Sequence, residues 1–408
     1  LSERDIDALI AKMTVEEKLG QLAQRAGGRQ RALNSKIDAS ELDRVRRCEV
    51  GSYLHVAGAA ETRELQRVAV EECRLHIPLL FAMDVVHGYR TIFPVPIAMA
   101  ASWDTEVAKQ AAHIAAVETS SSGLHWTFAP MIDISRDPRW GRIVEGAGED
   151  AYLGARMAEA QVVGFQGKAL TDPGTVMATA KHLGAYGAAE GGRDYGGADI
   201  SERTLNEVYL APFHAAADAG AASMMVAFNE IGGLPATGNA ALVNGMLRDK
   251  WRWSGMTVSD WRSIEELIAH GVAEDRIAAG KLALNAGVDM DMISEIYGPE
   301  LKGAVAQDSK LAASLDASVR NILNMKNRLG LFDNWKRFHD PVLEKSVLMS
   351  AANRAAAREA ATRSIVLLKN DGALLPMLAP NKKVALIGAL ADDARSQLGS
   401  WKGRGEET

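Results

Sequence analysis

Gly255-Met-Thr-Val-Ser-Asp-Trp261 is the stretch that decides the fold: a short apolar β-type run, a carboxylate, then an indole. A buried strand does not end in an unpaired carboxylate without reason, because desolvating a charge is costly. A carboxylate at a strand's C-terminal end, beside a ring able to stack on a sugar, suits a glycosidase nucleophile, and Asp260 is the candidate. The same placement also suits an N-cap for a following helix.

The pattern recurs outward from this segment. Leu79 to Met83 is apolar and ends at Asp84, with His87-Gly88 beyond; Trp126 to Ile132 ends at Asp133; Thr175 to Ala180 ends at Lys181-His182. Ala221 to Phe228 ends at Asn229, Gly287 to Met292 carries Asp289 and Asp291, and Gly51 to Val56 is an earlier member. Continuous apolar runs are what strands covered on both faces require. Helical spacing lies between them. Val107, Ala111, Ile114 and Val117 share a face; Leu205, Val208, Tyr209, Pro212 and Phe213 share another, with a kink expected at Pro212. Ile6, Leu9, Ile10 and Met13 form a stripe, and Thr14 with Glu17 has capping-box spacing. Alternating strands and helices over about 300 residues predict an α/β fold with a parallel sheet, and the span fits a (β/α)8 TIM-like barrel. In such a barrel the active-site residues stand at strand C-terminal ends.

Composition narrows the classes. The 408 residues carry a net charge of −6 without a long basic run, which disfavours nucleic acid and anionic membrane as partners. No apolar run reaches the ~18 residues of a spanning helix. Cys48 and Cys73 are the only cysteines; a disulfide and a reduced pair both fit, so the redox compartment stays open. The chain begins at Leu1, which is consistent with a removed leader.

Barrel-like patterning ends near Phe332. Residues 333–344 read as a connection and Ser346 to Arg363 as an Ala-rich helix. Ser364-Ile-Val-Leu-Leu-Lys-Asn-Asp-Gly372 reads as a strand and turn, and Lys383 to Gly388 as a strand opening a new α/β unit. The expected organisation is a barrel over 1–332, a linker and helix over 333–363, and the incomplete start of an α/β sandwich domain over 364–408.

Taken together, the motifs resemble a known family. Met13 to Gln21, Asp84-Val-Val-His-Gly88, Arg136-Asp-Pro-Arg-Trp-Gly-Arg142 with Gly148-Glu-Asp150, Lys181-His182, Asn229 with Gly233 to Ala236, Val258-Ser-Asp-Trp261 and Ser364 to Asn370 are similar to the N-terminal part of glycoside hydrolase family 3 enzymes, near the bacterial periplasmic β-glucosidases. The resemblance implies a retaining hydrolase releasing non-reducing-end glucose, with Asp260 as nucleophile. It implies that Asp84, Arg142, Lys181 and His182 bond the glucosyl unit, that Trp261 is an aromatic wall, that Met225 lies near the nucleophile, and more weakly that Arg193 reaches the site. The family's acid/base is a Glu on the second domain and has no counterpart to assign here; Glu190 and Glu145 are the fallback candidates. The substrate expected is a β-linked gluco-oligosaccharide or an aryl or alkyl β-glucoside, in the periplasm or outside the cell, with a cytoplasmic location and a homodimer left open.

The residues themselves agree on roles. Asp84 can accept from vicinal hydroxyls while Arg142, Lys181 and His182 donate, and Arg142 and Lys181 are expected to keep Asp260 ionised. Arg136, Asp137, Arg139 and Glu149 read as structural ion pairs, His87 as a loop brace, Asp133 as structural, and Met224, Met225, Met290 and Met292 as core. Asp289 and Asp291 lack ligand partners at tight spacing, so neither a metal nor an organic cofactor is expected. Competing readings are β-xylosidase or β-N-acetylglucosaminidase specificity, the latter disfavoured because Lys181 to Gly187 lacks a second His. A lyase with Lys181 as Schiff base and an inert sugar-binding fragment complete the set.

Overall fold

The computed structural model describes residues 1–26, 39–377 and 383–407. Among the described residues there are ten strands: β1 (Ala23–Ala26), β2 (Ser52–Leu54), β3 (Leu80–Met83), β4 (Trp126–Thr127), β5 (Thr179–Leu183), β6 (Ser223–Val226), β7 (Glu230–Ile231), β8 (Leu234–Pro235), β9 (Met256–Ser259) and β10 (Asp291–Met292). Eight of them lie in two parallel sheets, ordered β10-β1-β2-β3-β4 and β5-β6-β9, while β7 and β8 form a small antiparallel hairpin. Isolated parallel bridges join the sheets at both ends, Trp126 to Met177 and Met131 to Lys181 on one side, Val258 to Met290 on the other. β2, β3, β6 and β9 are buried at every position, as strands covered on both faces must be. All the polar strand-end residues therefore emerge on one face.

Three details depart from the sequence pattern. The run from Trp126 makes only two ladder residues before Pro130, which has no N–H to give; pairing resumes where Ile132 N donates to the Lys181 carbonyl at 2.8 Å. β5 runs on to Leu183, so Lys181 and His182 belong to the strand's end rather than to a following loop. β1 has no apolar run to mark it: its Gln24 is buried and donates through Nε2 to Ser52 Oγ at 2.8 Å, and Arg25 pairs with Glu41, so polar side chains are held inside the sheet.

The helices follow their periodicity. Helix Glu3–Lys12 buries Ile6 and Ile10, and Met13 closes it. The Thr14/Glu17 capping box forms, with Thr14 N to Glu17 Oε2 at 2.8 Å and Glu17 N to Thr14 Oγ1 at 3.2 Å. Before Pro212 the helical path breaks: a π-turn over Leu205–Tyr209 ends at Leu210, and a fresh helix spans Ala211–Asp218 with Pro212 in its first turn. The expected helix Ser346–Arg363 is split into Pro341–Val347 and Ala351–Arg363.

The two strands expected after residue 363 do not form. Residues 365–370 and 383–387 carry no ladder, although the turn at Asp371-Gly372 is present. Leu368 is 92% and Ile387 88% exposed. A strand needs a neighbour to accept and donate its backbone bonds, and among the described residues none lies alongside. Residues 378–382 and 408 of the expected segment 364–408 lie outside the described residues.

Cys48 and Cys73 form a disulfide, which removes the reduced-pair alternative. The bond ties the end of helix Ala39–Arg46 to the end of helix Ala59–Glu71, across a separation of 25 residues. Closing a loop of that length stabilises by about 3 kcal/mol through the unfolded chain. A Cys48→Ala/Cys73→Ala variant should lose roughly that amount in urea unfolding, and wild type in reducing buffer should match it. Coincident oxidised and reduced curves would contradict this.

Candidate active site

Asp260 directly follows β9, and its exposure is 7%. It does not cap the next helix: the residue at the N-cap of Ser263–Ala269 is Arg262, without a side-chain cap bond. Asp260 Oδ1 accepts from Trp261 N at 2.7 Å, whereas Oδ2 is buried without a hydrogen-bond partner. An orphaned carboxylate oxygen inside a protein is costly, and its presence points to a group meant to be met by something else.

The other strand ends converge on it. Asp84, directly after β3, accepts from Lys181 Nζ at 2.8 Å and stands 3.2 Å from His55 Nε2. Burial acts to raise the Asp84 carboxyl, but Lys181 and His55 outweigh it and hold it well below the usual carboxylate range. Arg142, from the loop after β4, makes a two-pronged bond to Glu145 at 2.7 and 3.0 Å, and its Nη2 lies 3.1 Å from His182 Nε2. An arginine can only donate, so His182 Nε2 is the acceptor and the imidazole carries its proton on Nδ1. That proton faces Asp133 Oδ2 at 2.8 Å, and the same oxygen takes the His182 backbone N–H at 3.0 Å, so the expected donation from His182 to a sugar hydroxyl is corrected: its one ring N–H is spent on Asp133. Burial, with Arg142 and Lys181 nearby, lowers the His182 pKa well below its ordinary value, which agrees with a neutral ring. Asp133 is thus the residue that sets the His182 tautomer; burial pushes its own carboxyl up to about 7 against the His182 amide.

His182 Nε2 approaches Asp260 Oδ2 to 3.5 Å. With Nε2 already accepting from Arg142, this is a contact and not a hydrogen bond. The expectation that Arg142 and Lys181 keep Asp260 fully ionised is therefore corrected. Burial raises its carboxyl to about 7, with Arg142 and Lys181 opposing but not prevailing. Both cations are present but committed, Lys181 to Asp84 and Arg142 to Glu145.

Met225 is buried in β6, where it pairs with Val258 of β9, one strand over from Asp260. Trp261 is partly buried. Arg193 is exposed, and from its loop it is Asp194 that bonds inward, to Trp140 and Tyr186. Glu145 is consumed by Arg142, and Glu190 is exposed. His87 is a brace, bonded to the carbonyls of Phe93 and Ser400. Arg139 and Asp137 form an exposed ion pair. Asp289 accepts from Arg248, Thr257 and Asn321, and Asp291 from three backbone amides, so both are structural.

Besides Asp194, three residues escaped the sequence reading. His55 follows β2 with φ +62° and no flanking motif to mark it. Tyr186 packs its ring edge on His182, centroids 5.2 Å apart, and its face under Arg142 at 5.4 Å. Trp401 lies 5.2 Å over Lys181 Nζ, carried there by a segment in which Arg404 N donates to the Tyr89 carbonyl. Its position more than 200 residues from Lys181 leaves no local signal.

Comparison with known proteins places this arrangement. Residues 14–325 match the profile of the glycosyl hydrolase family 3 N terminal domain. The chain is 41% identical to a periplasmic beta-glucosidase of Salmonella typhimurium over 97% of its own length and 52% of that protein's. It is 34% identical to a putative beta-xylosidase of Formosa agariphila, over 97% of its length and 55% of that protein's. It superposes on a beta-glucosidase from Listeria innocua with a TM-score of 0.93 and 36% identity, covering all of this chain and 57% of that one. The chain spans about half the length of these relatives. A match over most of the chain, joined to the Asp84, Lys181-His182 and Asp260 strand ends, shows that it belongs to glycosyl hydrolase family 3 and carries the family's N-terminal domain.

Proposed function

We propose that this chain forms the glucosyl-binding and nucleophilic half of a retaining, exo-acting β-glucosidase, acting on β-linked gluco-oligosaccharides or aryl and alkyl β-glucosides. The observation that carries the reading is Asp260 Oδ2, an unpartnered buried carboxylate oxygen within 3.5 Å of His182 and among Asp84, Arg142 and Lys181. The eight parallel strands, with bridges at both sheet junctions, are read as a closed (β/α)8 barrel spanning residues 1–332. Residues 333–363 are read as a linker, and those beyond as the approach to a second α/β domain.

In this reading Asp84 accepts from two sugar hydroxyls while Lys181 donates to one of them. Arg142 retains unused N–H groups beyond those given to Glu145 and His182. These charged contacts fix one terminal glucosyl unit, which is what exo-action requires. Asp260 Oδ2 then attacks the anomeric carbon, the aglycone leaves, and a glycosyl-aspartate forms, which water later hydrolyses. Protonation of the leaving oxygen falls to a carboxyl outside the groups described above, since Glu145 is held by Arg142 at both oxygens. A Schiff-base role for Lys181 is disfavoured because its Nζ is held by Asp84 Oδ1 at 2.8 Å. Relatives support the substrate class: the Listeria innocua enzyme has been solved with laminaribiose and with glucose. The disulfide and the periplasmic relative favour an oxidising, extracytoplasmic setting.

A dinitrophenyl 2-deoxy-2-fluoro-β-glucoside, whose leaving group needs no proton, tests the assignment on the chain itself. Peptide mass spectrometry should find the sugar on Asp260, and Asp260→Asn should stay unlabelled while folding normally. A label on any other residue would sink the assignment.

Asp84 should show two separable effects. Asp84→Asn should lower labelling efficiency roughly 100-fold, as hydroxyl bonds that strengthen in the transition state are lost. Asp84→Ala should in addition lose about 3 kcal/mol of stability, because Lys181 is left buried without its carboxylate. Unchanged labelling in both variants would mean that Asp84 is only a structural partner of Lys181.

A further inference from the structure

Arg142, on the loop after β4, and His182, at the end of β5, must hold a 3.1 Å contact for Arg142 to present its unused N–H groups to the sugar. Something has to fix one loop against the other. Glu145 cannot, because it lies on the same loop as Arg142. Asp133 orients His182 but has no bond to Arg142. The segment Glu190-Gly-Gly-Arg-Asp-Tyr-Gly-Gly197 is placed to do it.

From this segment Asp194 Oδ1 accepts two hydrogen bonds. One comes from Trp140 Nε1 at 3.0 Å, the other from the Tyr186 hydroxyl at 2.6 Å. Trp140 is buried two residues before Arg142, and Tyr186 is buried four residues after His182. The two rings meet edge to face, 5.1 Å between centroids. Tyr186 then touches both members of that contact, His182 in an edge-on ring pair and Arg142 by its face. One carboxylate oxygen therefore gathers the two loops through the two aromatic rings that underlie the site. The glycines let the segment come this close. Gly192 sits at φ +67°, and a Cβ there would fall 2.8 Å from Trp140 N and 2.9 Å from the Arg139 carbonyl carbon. Gly187 is similarly pressed on the chain after β4, 2.2 Å from Ile134 O by the same measure.

We infer that Asp194 is a positioning residue for the glucosyl site: by accepting from Trp140 and Tyr186 it locks the Arg142 loop to the His182 strand end. The inference rests on the glucosidase reading for what the site binds, but the clamp itself is a property of the two loops. Asp194 touches neither Asp260 nor sugar. Its loss should weaken the binding of the glucosyl unit more than it slows the attack by Asp260. The requirement is an acceptor, not a charge, because both partners are neutral donors, and the Tyr186 phenol keeps its proton: burial, then Asp194, raises its pKa.

The test compares Asp194→Ala, Asp194→Asn and Tyr186→Phe in the full chain. Isofagomine binding is measured by calorimetry, and inactivation by the dinitrophenyl fluoroglucoside is resolved into Ki and a saturating rate. Amide hydrogen exchange is followed over 140–146 and 186–189. Asp194→Ala should raise the isofagomine Kd and the inactivation Ki roughly ten-fold, the scale of losing hydrogen bonds to a charged acceptor, with a saturating rate close to wild type. Exchange should quicken in both segments. Asp194→Asn, which retains Oδ1, should restore binding to within roughly two-fold, and Tyr186→Phe should fall between. Unchanged Kd and Ki in Asp194→Ala, with only a lowered melting temperature, would overturn the inference, as would Asp194→Asn failing as badly as Asp194→Ala. If wild type neither binds isofagomine nor is labelled, the glucosidase reading fails. The clamp then stands or falls on whether Asp194→Ala frees both segments together and Asp194→Asn does not.

Discussion

The desolvation of the Asp260 carboxyl is the constraint around which the rest of the structure is arranged. A carboxylate brought to the end of a buried strand needs a counter-charge or several donors to stay ionised. It has one backbone N–H, from Trp261. The two cations close enough to matter are already paired, Lys181 with Asp84 and Arg142 with Glu145. His182 offers it no proton, because Nε2 accepts from Arg142 and the ring N–H is on Nδ1, facing Asp133. Asp84 and Lys181, and Arg142 and Glu145, satisfy one another, while Asp260 Oδ2, like Asp133 Oδ1 beside His182, is left without a partner. Stability alone would not favour that arrangement, since an unsatisfied buried oxygen costs about 1–3 kcal/mol. The nucleophilic role proposed for Asp260 would.

The pairings also make the site rigid before any sugar arrives. Asp84 and Lys181 come from β3 and β5, Arg142 from the loop after β4, and His55 from the end of β2. Parallel ladders set the spacing of those strand ends, and the ion pairs then set the side-chain rotamers. Preorganised charged groups in a water-poor pocket act more strongly than the same groups in solvent. The disulfide joins the ends of helices Ala39–Arg46 and Ala59–Glu71, whereas the site residues are set by the strands.

Much of this was legible in the sequence because the fold writes a simple signal: apolar runs that stop at a polar residue. Asp84, Asp260 and the Lys181-His182 pair stood at such stops, and β2, β3, β6 and β9 formed inside the expected runs. β1 was not legible, because Ala23-Gln-Arg-Ala26 hides its polar side chains in bonds to Ser52 and Glu41 that no local pattern announces. The expected strands after residue 363 form no ladder among the described residues for the opposite reason. Their apolar pattern is strong, but a pattern cannot form a ladder without a partner. The electrostatic expectation failed on commitment rather than proximity: the sequence reveals which charges exist, not which have already been neutralised. Asp194 was overlooked beside Arg193 because a clamp works through two aromatic rings 54 and 8 residues away.

The most direct test of this account is the pH dependence of covalent labelling of Asp260 by the dinitrophenyl fluoroglucoside. That leaving group needs no general acid, so the acid limb of the inactivation efficiency reports the nucleophile in the free protein. Burial holds the Asp260 carboxyl at about 7, so labelling should be half-maximal there and fall about ten-fold for each further pH unit of acidification. A profile that stays flat down to about pH 4, the ordinary range of an aspartate, would show that Arg142 and Lys181 are free to stabilise the charge, and would contradict the account.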